Sequence, residues 1–135
     1  EELIEQLPLI DKVVKAYHFP MVRVPGIEAD DVIGTLTAHA LAAGHEVVIV
    51  SSDKDFAQLI DGKVRMHDTL RDVVYDAELT KKKWGVKPEQ IVDYLALMGD
   101  SSDNIPGVDG IGQKGAQQRL EEHGSLAAIL AKLAA

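Results

Sequence analysis

Cysteine is absent from the 135-residue chain. Disulfides are therefore excluded, as are zinc and iron–sulfur sites built on thiolates, an absence that suits a reducing compartment. Aromatic residues make up only 4% of a sequence that is 46% hydrophobic, so aliphatic side chains must fill the core, and the length suits one core with a small appendage. No apolar run approaches a membrane span, and no charged-then-apolar leader opens the chain. A soluble, cytoplasmic protein is expected. The sequence opens at Glu1 without a methionine and directly in an amphipathic pattern, as expected of a piece of a longer protein.

Basic residues are also in deficit, with 14 Lys and Arg against 22 Asp and Glu and a net charge of -8. Nucleic-acid partners usually call for a basic surface, so this balance argues against one unless the acids are ligands. Seven of the acids form three tight groups: Glu28, Asp30 and Asp31; Asp53 and Asp55; Asp100 and Asp103. Divalent ions bound there would reverse the local sign. The alternative is a solvated acidic surface.

Taken in order, Leu3, Leu7, Ile10, Val13 and Val14 recur at helical spacing, with Pro8 marking a kink or a late start. Met21 to Val24 reads as a short strand closed by Pro25-Gly26. A helix follows through Val32, Ile33, Leu36, Ala40 and Leu41 and stops at Gly44. Asp30 and Asp31 stand at its start, where the dipole and free amides favour negative charge, so capping competes with ligation as their role. Glu28 adds a third carboxylate at the turn. Three acids need a counter-charge, and a hard, oxygen-seeking cation such as Mg²⁺ or Mn²⁺ meets that need.

Val47-Val48-Ile49-Val50 is a continuous β-branched run, the pattern of a strand buried on both faces of a parallel sheet. It ends in Ser51-Ser52-Asp53-Lys54-Asp55, and the carboxyl ends of strands are where open α/β sheets place ligands. The plainer alternative has Asp53 capping the short helix at Phe56, Leu59 and Ile60, with Asp55 solvated. Lys63 to His67 and Asp72 to Tyr75 alternate as two strands around a turn at Thr69 to Arg71. Asp76 then caps a helix with Leu79 and Trp84, stopped by Gly85, whose Lys81-Lys82-Lys83 reads as a solvated face. Pro88-Glu89 opens another helix, which leads to Asp100 and Asp103.

An Asp near a helix C-terminus meets the unfavourable end of the dipole, so stability alone is a poor reason for Asp100. An EF-hand register fails, since its glycine position falls on Ile105 and its final glutamate on Ile111. Gly107, Gly110 and Gly112 allow a tight hairpin. The helix beginning near Gly112 offers free amides to a phosphate, with Lys114 beside them, a contact that reads backbone and not bases. With Ile111 between glycines and Ala116 in the helix, the pattern is that of a helix-hairpin-helix; a purely structural turn is the alternative. Ser125 caps a last helix through Leu126, Ile129, Leu130 and Leu133. His18, His39, His45, His67 and His123 lack metal-ligand spacing.

Four stretches occur in this order: Glu28-Ala29-Asp30-Asp31; Ser52-Asp53-Lys54-Asp55; Leu97-Met98-Gly99-Asp100-Ser101-Ser102-Asp103-Asn104-Ile105-Pro106-Gly107; and Gly110-Ile111-Gly112-Gln113-Lys114. Together they resemble the 5′ nuclease (5′-3′ exonuclease) domains of bacterial DNA polymerase I, relatives of the flap endonucleases. The resemblance covers nearly the whole chain. It implies an α/β fold with a parallel-sheet, PIN-like or resolvase-like nuclease core, of which residues 1–85 are the C-terminal portion. A helix-hairpin-helix (helix-3-turn-helix) subdomain over 86–135 follows, gripping duplex DNA through Gly107, Val108, Gly110, Ile111, Gly112, Gln113 and Lys114, often with K⁺ in the hairpin. It further implies that Glu28, Asp30 and Asp31 serve a first Mg²⁺ or Mn²⁺ position and Asp53, Asp55, Asp100 and Asp103 a second, with Asp30, Asp31, Asp53 and Asp100 catalytic. Branched or 5′-flap DNA in the bacterial cytosol is the implied substrate, and a polymerase domain beyond residue 135 is expected.

The family also has an N-terminal part with a first strand, further metal-binding aspartates and a basic arch, none of it within these 135 residues. Impaired catalysis by this chain alone is therefore expected. Gly115 stands where the family often has Thr. Two rivals are a non-catalytic DNA-binding module, which leaves seven clustered acids unexplained, and a haloacid-dehalogenase-type phosphatase using Asp53 as nucleophile and Asp55 as general acid, for which the hairpin has no task.

Overall fold

A computed structural model describes residues 2–134. The chain divides into two compact units, one up to Leu36 and one from Thr37. The end residues 1 and 135 of the expected domains lie outside the described residues.

In the first unit, α1 (Glu2–Ala16) runs through Pro8 instead of starting after it. The missing proline N–H removes one helical hydrogen bond at that point. Arg23 pairs with Asp11 of this helix. The strand expected at Met21 to Val24 does not form. The segment has no regular secondary structure and the sheet contains no strand from it; apolar, β-branched residues make a strand only when the backbone has a ladder partner. No described residue before Thr37 is buried. Helix α2 (Ala29–Ala42) runs across the division, carries Asp30 and Asp31 in its first turn, and is closed by Gly44 at φ +87°.

The second unit holds a three-stranded sheet in the order β1 (Val47–Val50), β2 (Val64–Asp68), β3 (Val73–Tyr75). β1 and β2 are parallel, with Val47 opposite Val64, and β2 and β3 are antiparallel, with Met66 opposite Tyr75. β1 is not buried on both faces as its unbroken β-branched run suggests. Ile49 is buried, whereas Val48 and Val50 are 53% and 64% exposed. β1 is the end strand of the order, and only the face carrying Ile49 meets the core.

That core combines Ile49, Val64 and Met66 of the sheet with Phe56 and Ile60 after β1 and with Ile91, Tyr94, Leu95 and Leu97 of α4 (Ile91–Met98). At about 1.5–3 kcal/mol per fully buried aliphatic side chain, such contacts make this unit the seat of the hydrophobic stabilisation. α3 (Ala77–Trp84) is capped by the Asp76 side chain on Leu79 N–H at 2.8 Å and stopped by Gly85 at φ +74°. α5 (Gln113–His123) adds Ala116 and Leu120 to the core, and α6 (Leu126–Leu133) is capped by Ser125. Three polar ties join these helices. Gln90 Nε2 donates to the carbonyls of Leu120 and Gly124 at 3.1 and 2.9 Å, Asp93 accepts from Leu126 N–H at 2.9 Å, and Gln117 donates to the Trp84 carbonyl at 2.7 Å.

The β2–β3 turn depends on Asp68, whose side chain is 1% exposed. Its oxygens accept from Leu70 N–H, Arg71 N–H and Arg71 Nη1 at 3.1, 3.2 and 2.7 Å. The Arg71 guanidinium holds this carboxyl below its usual value of 3.8, against the opposing effect of burial. The native carboxyl is thus the harder one to protonate, and its stabilisation is present above the unfolded pKa and lost as pH falls through the folded one. Asp68→Asn is expected to lower the melting temperature at neutral pH, and the gap to wild type should narrow below about pH 4. A gap independent of pH would contradict this.

Candidate metal centre

The second and third acidic groups meet where β1 and α4 both end. After β1, Ser51 Oγ accepts from Asp53 N–H, and Asp53 Oδ1 accepts from Asp55 N–H, each at 3.0 Å. This caps a 3₁₀ turn over Lys54–Leu59. The cap aims Lys54 and Asp55 back at the end of α4. That helix stops at Gly99, φ +86°, and Asp100 follows as the first residue of a tight hairpin. Asp100 and Ile105 exchange two backbone hydrogen bonds of 2.8 Å, and Asp100 Oδ1 accepts from Ser102 N–H at 3.0 Å.

Asp55, Asp100 and Asp103 each present a carboxylate oxygen, and these all lie within 4.8 Å of one another. The Asp100 side chain is 5% exposed. Asp55 Oδ1 and Asp100 Oδ2 are buried without a hydrogen-bond partner. Between the three acids lies the Lys54 ammonium, 2.6 Å from Asp100 Oδ2, 3.5 Å from Asp55 Oδ1 and 3.9 Å from Asp103 Oδ2. At Asp100 this is ion-pair proximity without hydrogen-bond alignment. The ammonium holds the Asp100 carboxyl below the usual range against the effect of burial, and Asp100 in turn raises Lys54. Asp55 moves the other way, raised because burial outweighs the attraction of Lys54. Hard oxygen donors, converging and partly without partners, fit a divalent cation of the Mg²⁺ or Mn²⁺ kind.

Asp53 is half committed to the cap and stands outside this trio. Glu28, Asp30 and Asp31 are exposed at and before the start of α2 and, among the described residues, are not gathered into such a group. Lys54 is the participant that motif reading passed over. A cation set between two acids at the carboxyl end of a strand was its available signal.

The hairpin after Asp100 is strapped to α4. Val108 N–H donates to the Leu97 carbonyl and Ile111 N–H to that of Val108, both at 2.9 Å. Gly107, at φ +69°, lies so close to the helix end that a Cβ there would stand 2.5 Å from Gly99 N and 2.6 Å from the Met98 carbonyl carbon. Gly110 has φ +75° and open space around it. Gly112 precedes α5, whose first helical bond is Ala116 N–H to Gly112 C=O. The N–H groups of Gln113, Lys114 and Gly115 precede that bond and are left for an anion, and the Lys114 side chain is exposed.

Two family models match the chain: "5'-3' exonuclease, N-terminal resolvase-like domain" over residues 1–85 and "5'-3' exonuclease, C-terminal SAM fold" over residues 86–135. The DNA polymerase I of Rhizobium leguminosarum is 46% identical over 96% of this chain, which spans 13% of that protein. A 5'-3' exonuclease of Aquifex aeolicus is 42% identical over 93% of the chain, which spans 43% of it. Among solved structures, the bacteriophage T5 flap endonuclease in a pseudo-enzyme-product complex with DNA and metal ions superposes with a TM-score of 0.87 at 28% identity, over 96% of this chain and 48% of that one.

The two glycines separate strain from collision. Gly107→Ala is expected to cost about 2 kcal/mol or more, since left-handed strain adds to backbone overlap, and Gly110→Ala about 1 kcal/mol from strain alone. Urea unfolding of the two variants measures the difference. Equal losses would show that the approach of Gly107 to the helix end does not limit stability.

Proposed function

The chain belongs to the 5′-3′ exonuclease family, and from that premise we propose that it hydrolyses DNA phosphodiesters with divalent metal as part of a DNA polymerase I, acting in replication and repair as a 5′-3′ exonuclease and flap endonuclease. The observation that carries this is the convergence of Asp55, Asp100 and Asp103 with two buried oxygens lacking hydrogen-bond partners. Residues 1–85 form the C-terminal portion of the nuclease core and residues 86–135 the helix-hairpin-helix subdomain. Asp53, Asp55, Asp100 and Asp103 would hold one Mg²⁺ or Mn²⁺ position, and Glu28, Asp30 and Asp31 the other, with Asp30, Asp31, Asp53 and Asp100 in catalytic roles. When bound, the two ions supply an activated water and stabilise the leaving oxygen of the phosphodiester.

The protein's own groups perform the rest. The carboxylates fix the ions and, being acceptors only, add negative charge that a phosphate cannot approach without those ions. Gly107 to Lys114 would take the DNA backbone: the free amides at the start of α5 would face a phosphate oxygen, the Lys114 ammonium would neutralise it, and the hairpin would hold K⁺. Because the contact is to backbone, the preference is for shape, a branched or 5′-flap duplex, and not for sequence.

A labelled 5′-flap duplex incubated with the chain and Mn²⁺ tests this on denaturing and native gels. Slow, metal-dependent cleavage near the junction is expected. Asp100→Asn should reduce it by more than the roughly 10–100-fold that an outer-sphere partner costs, with binding retained. Lys114→Ala should instead weaken binding and lower its salt slope by about one. Binding without any cleavage would reduce the chain to a DNA-binding module, and neither binding nor cleavage would overturn the assignment.

A further inference from the structure

We propose that Lys54 is the resident cation of the metal-free site, and that a divalent ion binds Asp55, Asp100 and Asp103 by displacing its ammonium. This rests on the divalent-metal assignment above and concerns what that site contains before metal arrives. Three carboxylates within 4.8 Å of one another repel unless a positive charge lies among them, and Lys54 Nζ occupies that place at 2.6, 3.5 and 3.9 Å from their oxygens. An ion held by Asp100 Oδ2 would lie about 2 Å from that oxygen, the same oxygen that the ammonium approaches to 2.6 Å. The two positive charges exclude each other.

The geometry also provides the exit. Lys54 is the first residue of the 3₁₀ turn, and its side chain is 32% exposed. A flexible lysine stem therefore leads from the acids to solvent and can withdraw the charge without moving the backbone. The pairing with Asp100 lacks hydrogen-bond alignment and leaves Asp100 Oδ2 and Asp55 Oδ1 without partners, so the lysine neutralises the acids without saturating them. It keeps Asp55, Asp100 and Asp103 assembled in the absence of metal, at the expense of metal affinity.

The test uses Mn²⁺ calorimetry and thermal melting of the chain, with no measurement of activity. Lys54→Met is expected to bind Mn²⁺ tighter by on the order of tenfold, a normal size for coupling between two ligands of one site. It should melt below wild type in EDTA and gain more from saturating Mn²⁺. Lys54→Arg, which keeps the charge, should return both quantities toward wild type. Equal or weaker Mn²⁺ binding by Lys54→Met would overturn the exchange while leaving the metal site standing. Absence of Mn²⁺ binding in wild type and variant alike would overturn the metal assignment and the exchange with it. Should Lys54→Met fail to fold, the wild-type Lys54 Cε resonance, assigned by NMR, decides the matter: a shift on Mg²⁺ titration supports the exchange, and an unmoved signal contradicts it.

Discussion

Mutual repulsion of carboxylates is the constraint on which the site depends. Asp55, Asp100 and Asp103 come from two stretches far apart in sequence, and their oxygens are held within 4.8 Å of one another. Such an arrangement is unfavourable by itself, since like charges at this range raise each other's cost and burial adds to it. It persists because a positive charge lies among them and because the backbone leaves the side chains few alternatives. The 3₁₀ turn fixes Asp55 through the Asp53 cap, and the Asp100–Ile105 bridge fixes Asp100. The ammonium serves the trio unevenly, at 2.6 Å from Asp100, 3.5 Å from Asp55 and 3.9 Å from Asp103; it holds Asp100 low but does not offset the burial that raises Asp55.

The helical region is built to keep that bridge in place. Where α4 ends, the chain turns back so closely that only glycine fits at 107, and the Val108–Leu97 hydrogen bond ties the return to the helix. The same hairpin then delivers the start of α5. One short stretch therefore sets both the position of Asp100 and the position of the free amides at the start of α5, so the proposed metal site and the proposed phosphate contact depend on the same few residues. Gln90, Asp93 and Gln117 brace the helices by pairing with helix-end backbone groups that have no partner within their own helix.

Much of this was legible in the chain because local chemistry dictates it. Asp76, Gly85, Gly44 and Ser125 punctuate their helices as cap residues do, and the 64–75 hairpin follows its alternation. Motif order pointed to the family. What failed depended on partners that a local pattern does not contain. Met21 to Val24 reads as a strand but has no ladder to join, and the β-branched run of β1 indicates strand without revealing that one face stays open. The choice posed between capping and ligation at Asp53-Lys54-Asp55 was too narrow: Asp53 caps, Asp55 turns inward to the trio, and the lysine between them supplies the charge. Only the approach of Asp100 across the sequence gives Lys54 that task.

The most direct measurement is the anomalous difference map of a crystal of the chain equilibrated with Mn²⁺. A peak is expected within about 2.5 Å of oxygens from Asp55, Asp100 and Asp103, with the Lys54 ammonium withdrawn from Asp100. Saturating Mn²⁺ that leaves the trio without a peak, and Lys54 still paired to Asp100, would contradict it.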